Sequence, residues 1–211
     1  MPLSHERLEP DEALRRSRAF LATMQARRSV RMFSPEPVPR ELVENAIRAA
    51  GTAPSGAHRQ PWTFVAVSDP ELKARMREAA EREERAFYER RASPEWKAAL
   101  EPIGTDAVKT HLTDAPWVIV VFEHTRGADG GKHYYVRESV GIAVGFLLAA
   151  IQESGLCALT HTPSPMRFLR ELLGRPAHER PYVVIPVGYP APDAVVPALE
   201  RKPLEEIAEF R

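Results

Sequence analysis

Thiol chemistry is almost missing from this chain, whose single cysteine is Cys157. That scarcity excludes an internal disulfide, a CxxC redox pair and a cysteine-based zinc site. Its neighbours Leu156, Ala158 and Leu159 point to a buried structural thiol in a reducing, cytoplasmic setting. Net charge is also missing, because 29 basic residues balance 29 acidic ones. A general nucleic-acid binder needs a basic surplus to displace counterions, so that class is disfavoured. No run of eighteen apolar residues occurs, which argues against a membrane span. The polar stretch from Met1 to Arg16 carries no apolar leader core, so no signal peptide is expected. Several catalytic fingerprints are absent as well. There is no GxGxxG, HExxH or GxSxG, and Gly130-Gly131-Lys132 lacks the rest of a phosphate loop. The histidines show no metal-ligand spacing, so no metal is expected.

What is present is enough apolar material for a core, with 44% hydrophobic residues in 211. Apolar periodicity predicts helices over 11–26 and 41–50, with Pro39 at the first helical position of the second. Asp69-Pro70 is a helix start of N-cap and N1 type, opening a highly charged helix to about residue 91. Ser93-Pro94 opens another, and a short helix is expected over 106–112. Buried strands are expected at 64–67, 116–122 and 182–188, with an extended segment at 156–162 and a loop at 127–131. A short helix over 166–173 should close at Gly174. The segment 134–154 is apolar around most of its circumference, which predicts burial on all sides. It reads either as an ordinary central helix or as a dimer contact. Interleaved helices and strands place the chain among layered α/β or α+β proteins of one domain.

Two segments carry the chemistry. The first, Arg27-Arg28-Ser29-Val30-Arg31, concentrates guanidinium groups at a junction between helices. Guanidinium binds phosphate through charge-assisted, often bidentate hydrogen bonds. A short basic run also suits a solvated turn. The second, from Ala53 to Trp62, ends the next helix in a turn rich in Pro, Ser and Gly, where backbone N–H groups can approach a ligand. Glu84 and Tyr88 lie four residues apart and share a helix face, which suits either a solvated surface or a ligand clamp.

The runs RRSVR, AGTAPSGAHRQPWTFV, HYY, LLGRPAHE, PVGYP and ERKPL resemble the FMN-dependent nitroreductase superfamily over residues 27–207. Within it the likeness is greatest to the iodotyrosine deiodinases. GTAPSGAH, the helix with Glu84 and Tyr88, Lys109 and Thr162-Pro163 mark that subfamily. The resemblance implies an α+β, three-layer α/β/α fold with a central mixed sheet, built as an intertwined homodimer. Residues 1–26 would form a helical extension in the dimer contact, and 27–211 the FMN-binding domain, with a lid at about 70–112. It implies FMN held by Arg27, Arg28, Ser29, Arg31, Pro54, Ser55, Thr160, Thr162 and Arg201. Thr162 would donate to flavin N5 and favour one-electron steps, although a threonine in an extended segment serves packing equally well. The Ala57 N–H would hold a substrate phenolate. Glu84 would receive the ammonium of a halotyrosine, and Tyr88 and Lys109 its carboxylate. His161 departs from the pattern, standing where deiodinases often have threonine. The implied activity is reductive dehalogenation of 3-iodotyrosine to tyrosine and iodide, with electrons from NAD(P)H or a separate reductase. The rival readings are a general NAD(P)H-dependent nitroreductase or quinone reductase and a non-catalytic flavin-binding module.

Overall fold

The structure is a computed structural model that describes residues 1–127 and 130–211. The loop expected at 127–131 contains two residues, 128 and 129, that lie outside the described set. Four strands form one sheet: β1 (Trp62–Val67), β2 (Trp117–His124), β3 (Cys157–Ala158) and β4 (Glu179–Gly188). Their order is β1-β2-β4-β3, and each neighbouring pair runs antiparallel. Among the described residues the parallel component is the isolated bridge of Ser29 with Ala158, so the mixed character expected of the sheet is confined to that bridge.

Strand alternation sends β2 side chains to two cores, which is why its sequence is apolar at every position up to Phe122. Ile119 and Val121 join Ile185 and Val187 beneath α2 (Arg40–Gly51) and α6 (Val136–Glu153). Val118, Val120 and Phe122 join Val184 beneath α3 (Pro70–Ala86), α5 (His111–Asp114) and α7 (Arg167–Leu172). Helix layers thus cover both faces of the sheet, giving the expected three-layer arrangement.

Helix ends follow local chemistry. The Asp69 side chain accepts from Leu72 N, with Pro70 opening α3. Ser93 caps α4 (Pro94–Leu100) in the same way. Gly174 takes a left-handed conformation after α7, with φ of 60°. Pro39 sits one place earlier than expected, as the N-cap of α2. The helix expected over 106–112 forms later, at His111–Asp114, because the Asp106 carboxylate accepts from Val108 N and holds a turn there.

The expectation for α6 is corrected. Val140, Ala143, Leu147 and Ile151 are buried, but Ile142 and Phe146 are each 43% exposed in the single chain. Helix α1 (Pro10–Ala26) buries no residue, although Leu14, Phe20 and Leu21 lie on it. Gly145 faces open space, whereas a Cβ at Gly141 would meet the Tyr182 hydroxyl. Cys157 is half-buried rather than buried as expected, and what burial it has pushes its thiol pKa up.

Candidate active site

The arginine run leaves α1 as an extended segment stitched to the sheet edge. Val30 N donates to Ala158 O at 3.2 Å, and Ser29 bridges the same residue. The tail folds back over it. Arg28 donates to Pro197 O, and Arg201 donates to Gln25 O at 2.9 Å and Arg27 O at 2.6 Å. Between segment and tail lies a cavity of about 320 Å³ lined by Arg27, Arg28, Ser29, Arg31, Thr160, Glu200 and Arg201. Four guanidinium groups against one carboxylate make it an anion site. Arg31 is the telling member. It is half-buried, desolvation lowers its pKa, and its side chain makes no hydrogen bond or ion pair among the described residues. A cation taken partly out of water needs an anionic partner. A dianionic phosphate on a polar chain meets that need, so the residues present fit FMN.

A second cavity of about 220 Å³ adjoins the first through Thr160. Its lining includes Glu84, Tyr88, Lys109, His161 and Thr162. After α3 the backbone widens into a π-helical turn at Phe87–Arg91, which carries Tyr88. Phe87 stacks edge-on against Trp96, with centroids 4.9 Å apart, and both rings wall the cavity. The Tyr88 hydroxyl donates to Thr105 O at 3.2 Å. Its pKa is raised by burial, despite that hydrogen bond. Lys109, only 2% exposed, lies 3.3 Å from Glu84 Oε2 and donates to Thr105 Oγ1 at 3.2 Å and to Asp106 O.

Glu84 is bracketed on its other side by His161, whose Nε2 lies 3.2 Å from Oε1. Burial raises the Glu84 pKa, but the His161 hydrogen bond and the Lys109 charge outweigh it and hold the carboxyl below its usual range. His161 Nδ1 in turn lies 3.4 Å from His111 Nε2. Desolvation, followed by the positive field of His161, Lys109, Arg31 and Arg77, lowers the His111 pKa to about 3. Sequence reading saw His161 as a departure and did not see His111. The aromatic wall from Phe87 and Trp96 was also missed, although Trp96 on a charged segment was a signal.

Pro54, Ser55 and Ala57 line neither cavity of their own chain. Pro54 and Ser55 lead into a 3₁₀ turn at Gly56–His58, which contains Ala57 and lies against the start of α6, where Gly56 N donates to Ser139 Oγ at 3.2 Å. A Cβ at Gly56 would lie 2.6 Å from Tyr134 O, so only glycine fits. Ala57, His58 and Gln60 all have positive φ, a cost of roughly 1 kcal/mol or more each. Among the described residues the Ala57 N–H has no acceptor. Strain and a free donor coincide on one exposed turn.

This fold and these two cavities have known counterparts. Residues 24–189 match the Nitroreductase family, and the chain belongs to that family. An iodotyrosine deiodinase of Haliscomenobacter hydrossis is 54% identical over 206 residues, covering 96% of this chain and 93% of the relative. Iodotyrosine deiodinase of Hydra vulgaris is 48% identical, over 98% of this chain and 78% of its own length. Among solved structures, oxidised iodotyrosine deiodinase bound to FMN and 3-iodo-L-tyrosine superposes with a TM-score of 0.79 at 32% identity, covering 90% of this chain and all of that one. A putative NADH dehydrogenase/NAD(P)H nitroreductase from Parabacteroides distasonis superposes with a TM-score of 0.66 at 26% identity, over 90% of this chain and 97% of the other. No helix among the described residues is long and apolar enough to cross a membrane.

Proposed function

We propose that this chain is an FMN-dependent reductive dehalogenase of halotyrosines, converting 3-iodotyrosine to tyrosine and iodide. The net change is one carbon–iodine bond replaced by carbon–hydrogen, with two electrons and one proton consumed and iodide released. The observation that carries the reading is the buried Glu84–Lys109 pair beside Tyr88, in a cavity that shares Thr160 with the arginine cavity. Such a set supplies an acceptor for an ammonium and donors for a carboxylate, the two ends of an amino-acid zwitterion.

FMN, when bound, supplies the electrons. Arg27, Arg28, Arg31, Arg201 and Ser29 are assigned to its phosphate end, and Pro54, Ser55 and Thr160 to the remainder. Thr162 is assigned as the hydroxyl donor at flavin N5, favouring one-electron transfer. The Ala57 N–H is assigned to the substrate phenolate, which its free donor suits. Glu84 takes the ammonium, and Tyr88 with Lys109 takes the carboxylate. Phe87, Trp96 and Leu100 close an apolar lid, formed within residues 70–112, that keeps water from the reacting carbon.

A homodimer completes the site in this reading. Ala57 belongs to neither cavity of its own chain, while Ile142, Phe146 and the apolar residues of α1 lie uncovered. A second copy covers those faces and brings its own 54–57 turn to the cavities. Residues 1–26 then act as an arm of the contact rather than as part of the FMN domain. The single half-buried thiol suits a cytoplasmic setting. Electrons come from NAD(P)H directly or from a separate reductase.

The likeness to an NAD(P)H nitroreductase supports a second reading, a general nitroreductase. One experiment separates the two. FMN-loaded protein is reduced with dithionite and given 3-iodotyrosine, and iodide release is followed beside nitroaromatic reduction. The Glu84→Gln variant should weaken iodotyrosine binding about thirtyfold while leaving nitroaromatic turnover in place, since only the amino acid needs the carboxylate. Equal loss of both activities, or unchanged iodotyrosine affinity, overturns the clamp. FMN binding without turnover of either substrate leaves a non-catalytic flavin module.

A further inference from the structure

His161 does not belong to the zwitterion clamp, yet it touches the clamp's acidic member. It stands on the segment bridged to Val184 of β4, immediately before Thr162, and is 9% exposed. Its Nε2 faces Glu84 Oε1 at 3.2 Å, and its Nδ1 faces His111 Nε2 at 3.4 Å. A carboxylate can only accept, so Nε2 of His161 must carry a proton. In a neutral ring Nδ1 is then the acceptor, and His111 presents its own Nε2–H. The two histidines therefore have one consistent neutral arrangement, with a proton on Nε2 of each. Lys109 holds the other oxygen of Glu84 at 3.3 Å.

We propose that His161 is a positioning residue that aims the Glu84 carboxylate at a ligand ammonium as a neutral Nε2–H donor, and that closes the carboxylate to that ammonium when it gains a second proton. This rests on the assignment of Glu84 to the ammonium. The charge count explains the gate. With His161 neutral, Glu84 and Lys109 sum to zero, and the zwitterion enters a balanced site. With His161 cationic, the carboxylate is flanked by two cations, and a third meets repulsion in a buried place. The groups that face His161 are Glu84 from α3, Lys109 and His111 from the α5 region, and Arg31 from the arginine segment. Burial and the cations Lys109 and Arg31 favour the neutral ring, against the pull of Glu84, so its pKa lies below the ordinary 6.5. Protonation also forces His111 to change tautomer, because Nδ1 of His161 then becomes a donor. By reciprocity, a bound ammonium makes His161 harder to protonate.

The test is the affinity of oxidised, FMN-loaded protein for 3-iodotyrosine between pH 7.5 and pH 5, read by flavin absorbance. His161→Gln keeps an amide donor in reach of Glu84 but cannot titrate, and His161→Thr lacks the reach. The ratio of variant to wild-type affinity cancels the titration of the ligand's own phenol. At pH 7.5 the glutamine variant should rescue binding to within about threefold, while the threonine variant should weaken it about tenfold. Towards pH 5 the wild type should progressively lose affinity relative to the glutamine variant, following single-proton linkage. 2-Iodophenol, which has no ammonium, should show no such divergence. A ratio independent of pH, or the same divergence with 2-iodophenol, overturns the gate. If 3-iodotyrosine fails to bind at every pH, the functional reading falls. Histidine ¹⁵N shifts of the FMN-loaded protein then decide the positioning role alone. A neutral His161 protonated on Nε2 at pH 7, and perturbed by Glu84→Gln, supports it; a proton on Nδ1, or indifference to that substitution, overturns it.

Discussion

The two adjoining cavities solve opposite electrostatic problems. In the arginine cavity, Arg31 is half-buried with no anionic partner among the described residues, so the site suits an anion. In the neighbouring cavity, Glu84 already sits between Lys109 and His161, and the charges cancel internally. A permanently dianionic ligand can be met by uncompensated cations. A zwitterion cannot, because it brings both signs, and an unpaired buried charge of either sign would cost several kcal/mol in its absence. In the proposed clamp, Glu84 is paired within the chain by Lys109 and His161, partners that a bound zwitterion would share.

Substitutions can break or sharpen this contrast. The largest effect is expected at the proposed dimer contact. Ile142→Glu combined with Phe146→Glu puts charge on the uncovered face of α6 and should give a monomer by light scattering, with FMN affinity down at least about a hundredfold. An unchanged dimer that binds FMN normally would remove that face from the assembly. Next is the half-buried cation Arg31. Arg31→Ala should weaken FMN about a hundredfold, read by fluorescence titration, through loss of charge-assisted hydrogen bonds. Arg201→Ala should cost only about tenfold, because that exposed guanidinium already donates to the carbonyls of Gln25 and Arg27. Equal effects would mean that Arg31 is not the anchoring cation.

A smaller effect tests the self-paired side. Unfolded histidine gains its proton near pH 6.5, whereas buried His111 gains it near 3. Between those values the unfolded chain binds the extra proton, so stability is full above 6.5 and falls as the pH drops. At pH 5 the His111 contribution to that fall should be about 2 kcal/mol. His111→Asn should lack this component, so its urea midpoint should decline less between pH 7.5 and pH 5; parallel declines would show that His111 does not stay neutral. The smallest effect concerns the strained turn. Ala57→Gly relieves a positive φ and should leave stability unchanged or raise it by up to about 1 kcal/mol. Gly56→Ala should lower it, because the new Cβ meets the Tyr134 carbonyl. Thermal unfolding of both variants checks the pair.

Much of the fold was legible because its signals are local. Asp69-Pro70 and Ser93-Pro94 announce helix starts within four residues, and Gly174 marks a helix end. The uninterrupted apolar run of β2 predicts a strand covered on both faces, and both cores are there. Two local readings failed for physical reasons. Pro39 became a cap because the helix began one residue later, and the helix near 106 was displaced by the Asp106 side chain holding its own turn. The all-round apolar character of α6 was read correctly as composition, but a single chain supplies cover for only one side of it.

The candidate site divides along the same line. Residue identity, together with likeness to a family, named the arginines, Thr162, Glu84, Tyr88 and Lys109, because guanidinium, hydroxyl, carboxylate and ammonium groups carry their chemistry with them. Only the tertiary structure decided that Thr160 joins two cavities, that Ala57 lies outside both in its own chain, and that Glu84 is held on one side by a histidine 77 residues away. Hydrogen-bond chains and desolvation depend on distance in space, and sequence separation says little about that. His161 looked like a stray departure until folding set it between Glu84 and His111.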